Sequence, residues 1–199
     1  LAEAHRRGIR VIVDLVLNHS SSEHPRFLKA LRADSGSRDW YIFDPPDQVP
    51  TALGPWGQHV WHEERGQHYL GIFWSGMPDL NYRNPLVTAE AERIAEFWLR
   101  EMKVDGFRLD AIRHLIEDGD VMTDTPETRA WLRAFQARLR QIEPDVLTVG
   151  EVWASTEAVS DYLAEDALDL AFEFDLATAI LDAARTGTKA KLAYTLDNV

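Results

Sequence analysis

The sequence predicts an α/β protein whose parallel strands, joined by helices, form part of a barrel, and three observations carry that prediction. Apolar runs of strand length alternate with segments of helical periodicity along most of the 199 residues, the order that builds a parallel sheet with right-handed crossovers. Three strand-like runs end in carboxylates, at Asp14, Asp110 and Glu151, as expected of the active rim of an eight-stranded α/β barrel. No glycine-rich phosphate loop follows any strand, which argues against an open nucleotide-binding sheet.

Taken in order, residues 1–7 read as the end of an amphipathic helix closed by Gly8. With no initiator methionine, the natural chain is expected to begin earlier. Residues 9–17 form a nearly continuous β-branched and aliphatic run, expected as a strand buried on both faces. It leads into Asn18, His19 and a serine cluster. A short helix is expected over residues 24–33, with Phe27, Leu28 and Leu31 on its apolar side.

Over residues 34–84 glycines, prolines and aromatics displace the periodicity, as in Phe43-Asp44-Pro45-Pro46. Residues 59–62 and 68–73 are expected to pair as antiparallel strands around Glu64-Arg65-Gly66. A segment this long without strong helices is better explained by function than by connection. Trp40, Trp56, Trp61 and Trp74 all lie in it. Such a cluster either fills a satellite core or presents flat rings to the apolar faces of sugars.

Regular alternation then resumes. Asn84 suits a helix cap and Pro85 the first helical position, and Val87, Ala91, Ile94, Ala95, Trp98, Leu99 and Met102 form one apolar stripe. This helix feeds a strand over residues 104–110. Phe107 and Leu109 share one face there and Arg108 and Asp110 the other, because strand side chains repeat every second residue. On this stretch alone, the arginine and carboxylate could equally be a structural ion pair. A second helix starts at Thr125-Pro126, carries Trp131, Leu132, Phe135, Leu139 and Ile142 at helical spacing, and stops at Pro144. Residues 146–149 are the next strand, ending in Gly150-Glu151-Val152-Trp153. A helix over 156–164, a short strand over 168–174 and a helix over 176–184 follow, and residues 185–199 are weakly patterned. The domain reading is a barrel of residues 1–33 and 85–199 with residues 34–84 inserted.

Composition limits the partners. A chain 45% hydrophobic and 27% charged is ordinary for a folded domain. A formal charge of −12 without a basic cluster repels nucleic acids and anionic membranes, so a neutral substrate is expected and neither nucleic acid nor membrane is. No apolar run approaches membrane-spanning length. With no cysteine, thiolate chemistry and disulfides are excluded and the redox compartment stays open. Localisation and oligomeric state are not legible.

Four stretches together carry a family resemblance. Asp14-Leu-Val-Leu-Asn18-His19, Met77-Pro-Asp79-Leu-Asn81, residues 106–114 and residues 150–153 occur in the order of the sequence regions of the α-amylase superfamily, glycoside hydrolase family 13, which the chain resembles over nearly all its length. The resemblance implies a partial (β/α)8 (TIM) barrel, about strands 3 to 6, with a small loop-rich B domain after strand 3. It implies Asp110 as nucleophile and Glu151 as general acid/base of a retaining glycosidase, a reaction needing two carboxyl groups about 5–5.5 Å apart. Arg108 would keep Asp110 ionised, and Glu151 beside Trp153 would lie in a drier place. His19 and His114 would bond sugar hydroxyls, Asp14 would support the site, and Arg113 and Trp153 would join the substrate-binding set. Asn18, Asp79 and the main-chain carbonyl of His114 match the oxygen ligands of a structural calcium, with no organic cofactor.

The implied activity is hydrolysis of α-1,4-glucosidic bonds in starch-like glucans or maltooligosaccharides, since Ala111 and the Arg113-His114 pair resemble α-1,4-acting members. Met77 to Asn81 lies between subgroup patterns, as in an intermediary bacterial α-amylase group. An exo-acting α-glucosidase or oligo-1,6-glucosidase, or a trehalose synthase-type transglycosylase, remains open within the family. The family's fourth region, bearing a third carboxylate, is not matched before Val199, so the isolated chain is expected to be inactive. Outside the family stand a magnesium-dependent lyase with carboxylates at successive strand ends and a non-catalytic carbohydrate-binding relative.

Overall fold

In a computed structural model, residues 1–32, 36–43, 52–164 and 166–197 are described. The predicted helix end at Ala33, the Asp44-Pro45-Pro46 run and the last two residues lie outside them. Strands β1 (Ile12–Val16), β4 (Gly106–Asp110), β5 (Leu147–Gly150) and β6 (Leu170–Ala171) form one parallel sheet in the order β1-β4-β5-β6. Strands β2 (Trp61–Glu64) and β3 (Gln67–Leu70) form a separate antiparallel hairpin. Its turn is Arg65-Gly66, both at positive φ (55° and 73°), the backbone that matches a two-residue turn to the twist of its strands.

Helices cover one side of the parallel sheet. Leu15, Phe107 and Leu109 point into a core closed by Val87, Ala91 and Ala95 of α3 (Pro85–Glu96), by Leu132, Phe135 and Leu139 of α4 (Pro126–Ile142), and by Val159 and Tyr162 of α5 (Thr156–Ala164). Fully burying one such Leu or Phe side chain stabilises the fold by about 1.5–3 kcal/mol. The helices start where their caps dictate. Asn84 accepts from Leu86 N, and Thr125 accepts from Thr128 N while its hydroxyl donates to the Ile116 carbonyl at 2.6 Å.

The opposite face carries Asp14, Arg108 and Asp110. Among the described residues nothing packs over that face, and Ile12 and Val16 are exposed there, whereas the sequence reading expected a first strand buried on both faces. Four further corrections have local causes. Met102 leaves the apolar stripe because α3 ends in a widened turn over Phe97–Glu101, where Met102 N–H bonds to the Phe97 carbonyl five residues back. Leu28 of α2 (Pro25–Ala30) faces solvent while Phe27 and Leu31 are buried. The last strand keeps two residues because the Glu173 carboxylate accepts from Asp175 N and Leu176 N, starting α6 (Phe174–Thr186) at Phe174. The weakly patterned tail holds a seventh helix, α7 (Ala190–Leu196), packed on α6.

The segment between β1 and α3 packs as two satellite clusters. Phe27, Ala30 and Leu31 of α2 meet Tyr41 and Tyr69; Val60, Leu70 and Ile72 meet Met122 from the connection after β4. The segment returns beside the end of β1, where Ser20 N–H bonds to the Pro78 carbonyl at 3.1 Å and Leu80 N–H to the Asn18 carbonyl at 2.8 Å. That closure places Asp79 next to Asn18 and His19.

Candidate active site

The parallel register sets Asp14 beside Arg108 and Arg108 beside Val149, so side chains from neighbouring strands project from the same face. Arg108 uses this to gather three carboxylates. Its Nη1 donates to Asp14 Oδ1 at 2.8 Å and to Asp110, and its Nη2 lies 2.9 Å from Glu151 Oε2. Burial opposes its charge, but Asp14, Glu151 and Asp110 outweigh that and raise its pKa above the ordinary value. Asp110 and Glu151 are thereby held on two nitrogens of one planar fork.

Glu151 has two further donors. Ala111 N–H reaches its Oε2 at 3.2 Å and the Trp153 indole N–H its Oε1 at 3.2 Å. Ala111 makes its contact from a left-handed conformation, φ 52° and ψ 31°, immediately after Asp110. Such strain at a non-glycine residue costs on the order of 1 kcal/mol and marks a position fixed by its surroundings. The expected drier setting for Glu151 is not met: its side chain is 22% exposed and that of Asp110 21%, because both face the same cleft.

The cleft encloses about 720 Å³. Asp110, Glu151, His19 and His114 line its polar part, and Trp56, Phe73, Trp74, Met77 and Trp153 its apolar part. The four tryptophans of the inserted segment divide. Trp40, under the Arg26 guanidinium at 3.4 Å, and Trp61 pack into the satellite cores; Trp56 and Trp74 stand exposed at the cleft. The satellite-core reading thus holds for Trp40 and Trp61, while Trp56 and Trp74 present their rings to the cleft. Phe73 escaped notice in the sequence because it sits in a run already assigned to a strand, which the structure ends at Leu70.

The two histidines have defined tautomers. His114 Nδ1 lies 3.0 Å from the Met122 carbonyl, which can only accept, so that nitrogen carries the proton and Nε2 keeps its lone pair. The Asn18 amide donates to the His114 carbonyl, leaving its oxygen to accept from His19 Nδ1 at 3.1 Å. Burial lowers the pKa of both rings below the ordinary histidine value, against the charges of Asp110 at His19 and Asp124 at His114.

Behind the cleft, Asn18 and Asp79 are buried together with the His114 carbonyl. Asp79 Oδ2 accepts from Ile72 N at 3.2 Å, while its Oδ1 has no partner. Burial first, and the charge of Glu117 second, drive its pKa well above the ordinary carboxylate value. Glu117, itself pushed up to about 7 by burial, belongs to this group although the sequence reading passed over it. Its signal was the first acid of Glu117-Asp118-Gly119-Asp120, set directly against the apolar pair at residues 115–116. Among the described residues no group of three or more His, Cys, Asp or Glu could hold a metal. An amide, a carbonyl and two carboxylates are instead the hard oxygen donors that calcium prefers.

Asp14 and Arg108 sit one pleat below Asp110 on the same face; Arg108 meets Asp110 and Glu151 directly, and Asp14, whose side chain is 57% exposed, joins them through Arg108. Arg113 borders the cleft but all three of its guanidinium nitrogens are engaged by Asp124 and the Trp153 carbonyl. In this chain all three make contacts that brace the cleft: Asp14 and Arg108 with each other, and Arg113 with Asp124 and Trp153.

The family profile described as the α-amylase catalytic domain matches residues 1–198. Among curated proteins the chain is 37% identical over 183 residues to α-amylase 3 of Dictyoglomus thermophilum, covering 92% of this chain and 34% of that protein. It is 34% identical to glucan 1,6-α-glucosidase of Streptococcus pneumoniae, with coverages of 88% and 34%. The α-amylase of H. orenii superposes with a TM-score of 0.85 at 38% identity, over 98% of this chain and 39% of that one. The chain thus spans about a third of the length of the curated relatives it matches.

Proposed function

Because the chain belongs to the α-amylase catalytic-domain family, and its sheet is part of that family's (β/α)8 barrel, we propose that it carries the nucleophile and acid/base of a retaining glycosidase. The bonds cleaved are α-1,4-glucosidic linkages in starch-like glucans or maltooligosaccharides. One observation carries this reading: Arg108 holds Asp110 and Glu151 side by side at the floor of an aromatic cleft.

Asp110 attacks the anomeric carbon while Glu151 protonates the departing glycosidic oxygen; Glu151 then takes a proton from the water that releases the glycosyl-enzyme. Arg108 preorganises both carboxylates, which would otherwise repel. His19 and His114 offer lone-pair nitrogens to sugar hydroxyls, and Trp56 and Trp74 lie under the apolar faces of the rings. The guanidinium fills the space between the three strand-end carboxylates, which supports glycoside chemistry over a lyase with magnesium bound there. Retention of both Asp110 and Glu151 supports catalysis over mere sugar binding.

Asp79, Glu117, the His114 carbonyl and Asn18, with its amide turned so that the oxygen rather than the NH2 faces that carbonyl, would hold a calcium ion, the unpartnered Asp79 Oδ1 being the feature that fits it. When bound, it neutralises the buried carboxylates and fastens the inserted segment to the end of β1.

The test is reducing-sugar release from soluble starch by protein carrying the complete catalytic domain. Asp110→Asn and Glu151→Gln are each expected to lose activity on the order of 10³-fold. A rate near that of the parent for either variant overturns the reading.

A further inference from the structure

Arg113 lies in the 3-10 turn Ile112–His114 that follows Asp110 and Ala111. Its Nε donates to Asp124 Oδ1 at 2.9 Å, its Nη2 to Asp124 Oδ2, and its Nη1 to the carbonyl of Trp153. The clasp is closed from other sides as well. Asp124 N–H bonds to the Arg113 carbonyl at 2.9 Å, and the Tyr162 hydroxyl of α5 donates to Asp124 Oδ1 at 2.7 Å. The Arg113 side chain is only 18% exposed.

The carbonyl that Arg113 holds belongs to the residue whose indole reaches Glu151. Trp153 is itself exposed, on a loop, with its ring stacked on Phe174 at 4.3 Å and its N–H 3.2 Å from Glu151 Oε1. Glu151 Oε2 is already engaged by Arg108 and Ala111 N–H. Among the described residues, the side-chain hydrogen bond to Oε1 therefore comes from an indole whose main chain is tied down by Arg113.

We propose that Arg113 is a positioning residue for the acid/base: by fixing Trp153 it sets the orientation of Glu151, and it does so without contacting sugar. The inference rests on Glu151 being the acid/base. A proton donor displaced by about 1 Å loses about 100-fold in rate. A lysine would supply charge but not the planar fork that spans a carboxylate and a carbonyl at once.

The experiment compares kcat/KM for maltoheptaose and for α-maltosyl fluoride in protein carrying the complete catalytic domain. This constant reads only the first covalent step, and fluoride departs with little protonation whereas a sugar oxygen requires it. Arg113→Lys is expected to lose about tenfold or more on maltoheptaose and less than about twofold on the fluoride, with KM little changed. Trp153→Phe, which keeps an aromatic ring against Phe174 but deletes the indole N–H together with the ring that bears it, is expected to show the same selectivity and guards against a folding defect in the arginine variant. Equal losses on both substrates, a rise in KM alone, or no loss in either variant overturns the proposal. Glu151→Gln is the control for the underlying reading. If it too fails to discriminate between the substrates, the acid/base assignment has failed rather than the role of Arg113.

Discussion

Arg108 Nη2 and Glu151 Oε2 stand 2.9 Å apart, a contact from the body of β4 to the residue just beyond β5. The same side chain pairs with Asp14 and Asp110, so one cation sets the geometry of every carboxylate on this face. Lysine keeps the charge and loses the second arm. Arg108→Lys is expected to lower kcat on maltoheptaose about 100-fold with KM within about threefold of the parent. Steady-state kinetics decide it, and a kcat within a factor of two would show that the fork is dispensable.

Gly106 opens β4 where a Cβ would stand 2.0 Å from the Leu147 carbonyl oxygen and 2.8–2.9 Å from two further Leu147 backbone atoms. Backbone cannot move aside as a side-chain tip can. Gly106→Ala is expected to cost about 3 kcal/mol by forcing β4 and β5 apart, read as a lowered midpoint in urea. An unchanged midpoint would mean that the strands can separate there without penalty.

A buried, half-satisfied carboxylate at Asp79 makes stability depend on what neutralises it. Removing calcium with a chelator is expected to lower the melting temperature by about 5–10 °C, the effect of a ligand held at about 100 times its dissociation constant. Asp79→Asn removes the buried charge and with it the calcium response. A melting temperature indifferent to chelator in the parent would refute the metal site.

Acid should weaken the fold in two stages. His19 and His114 have depressed native pKa values, so the unfolded chain takes up protons first, and stability falls as pH drops below about 6.5. For Asp124, burial works to raise the carboxyl, but hydrogen bonds from Arg113 and Tyr162 overcome it and leave the pKa below the ordinary value. Its contribution is therefore complete above about pH 3.9 and is lost as pH falls toward the native value. Asp124→Asn should be less stable at pH 7 and flatter below about pH 4. Thermal melts across pH measure both stages, and a parallel decline in parent and variant would remove Asp124 as a source of the second.

What was legible in the sequence is what local rules govern. Period-two alternation placed Arg108 and Asp110 on one face of β4, and Thr125-Pro126 announced α4 through a cap and a fixed φ. Glu64-Arg65-Gly66 marked the hairpin through its glycine; that Arg65 also takes a positive φ of 55° appears only in the structure. What was not legible depends on contacts made after folding. Glu173 is a poor N-cap by type, yet its carboxylate starts α6. Arg113 matched a sugar-binding position by resemblance, but its use is decided by Asp124, eleven residues on, and by Trp153, forty residues on. Glu117 joined the Asp79 group only because the connection after β4 folds against the inserted segment through Met122.

The left-handed backbone at Ala111 places selection for persistence and selection for reactivity in opposition at one residue. Relaxing it would make the protein easier to keep folded. The same change would turn the amide away from Glu151 and swing the turn that carries Arg113 and His114. A lineage evolving toward greater thermal tolerance would have to find its gains elsewhere in the chain and leave this strained link as it is.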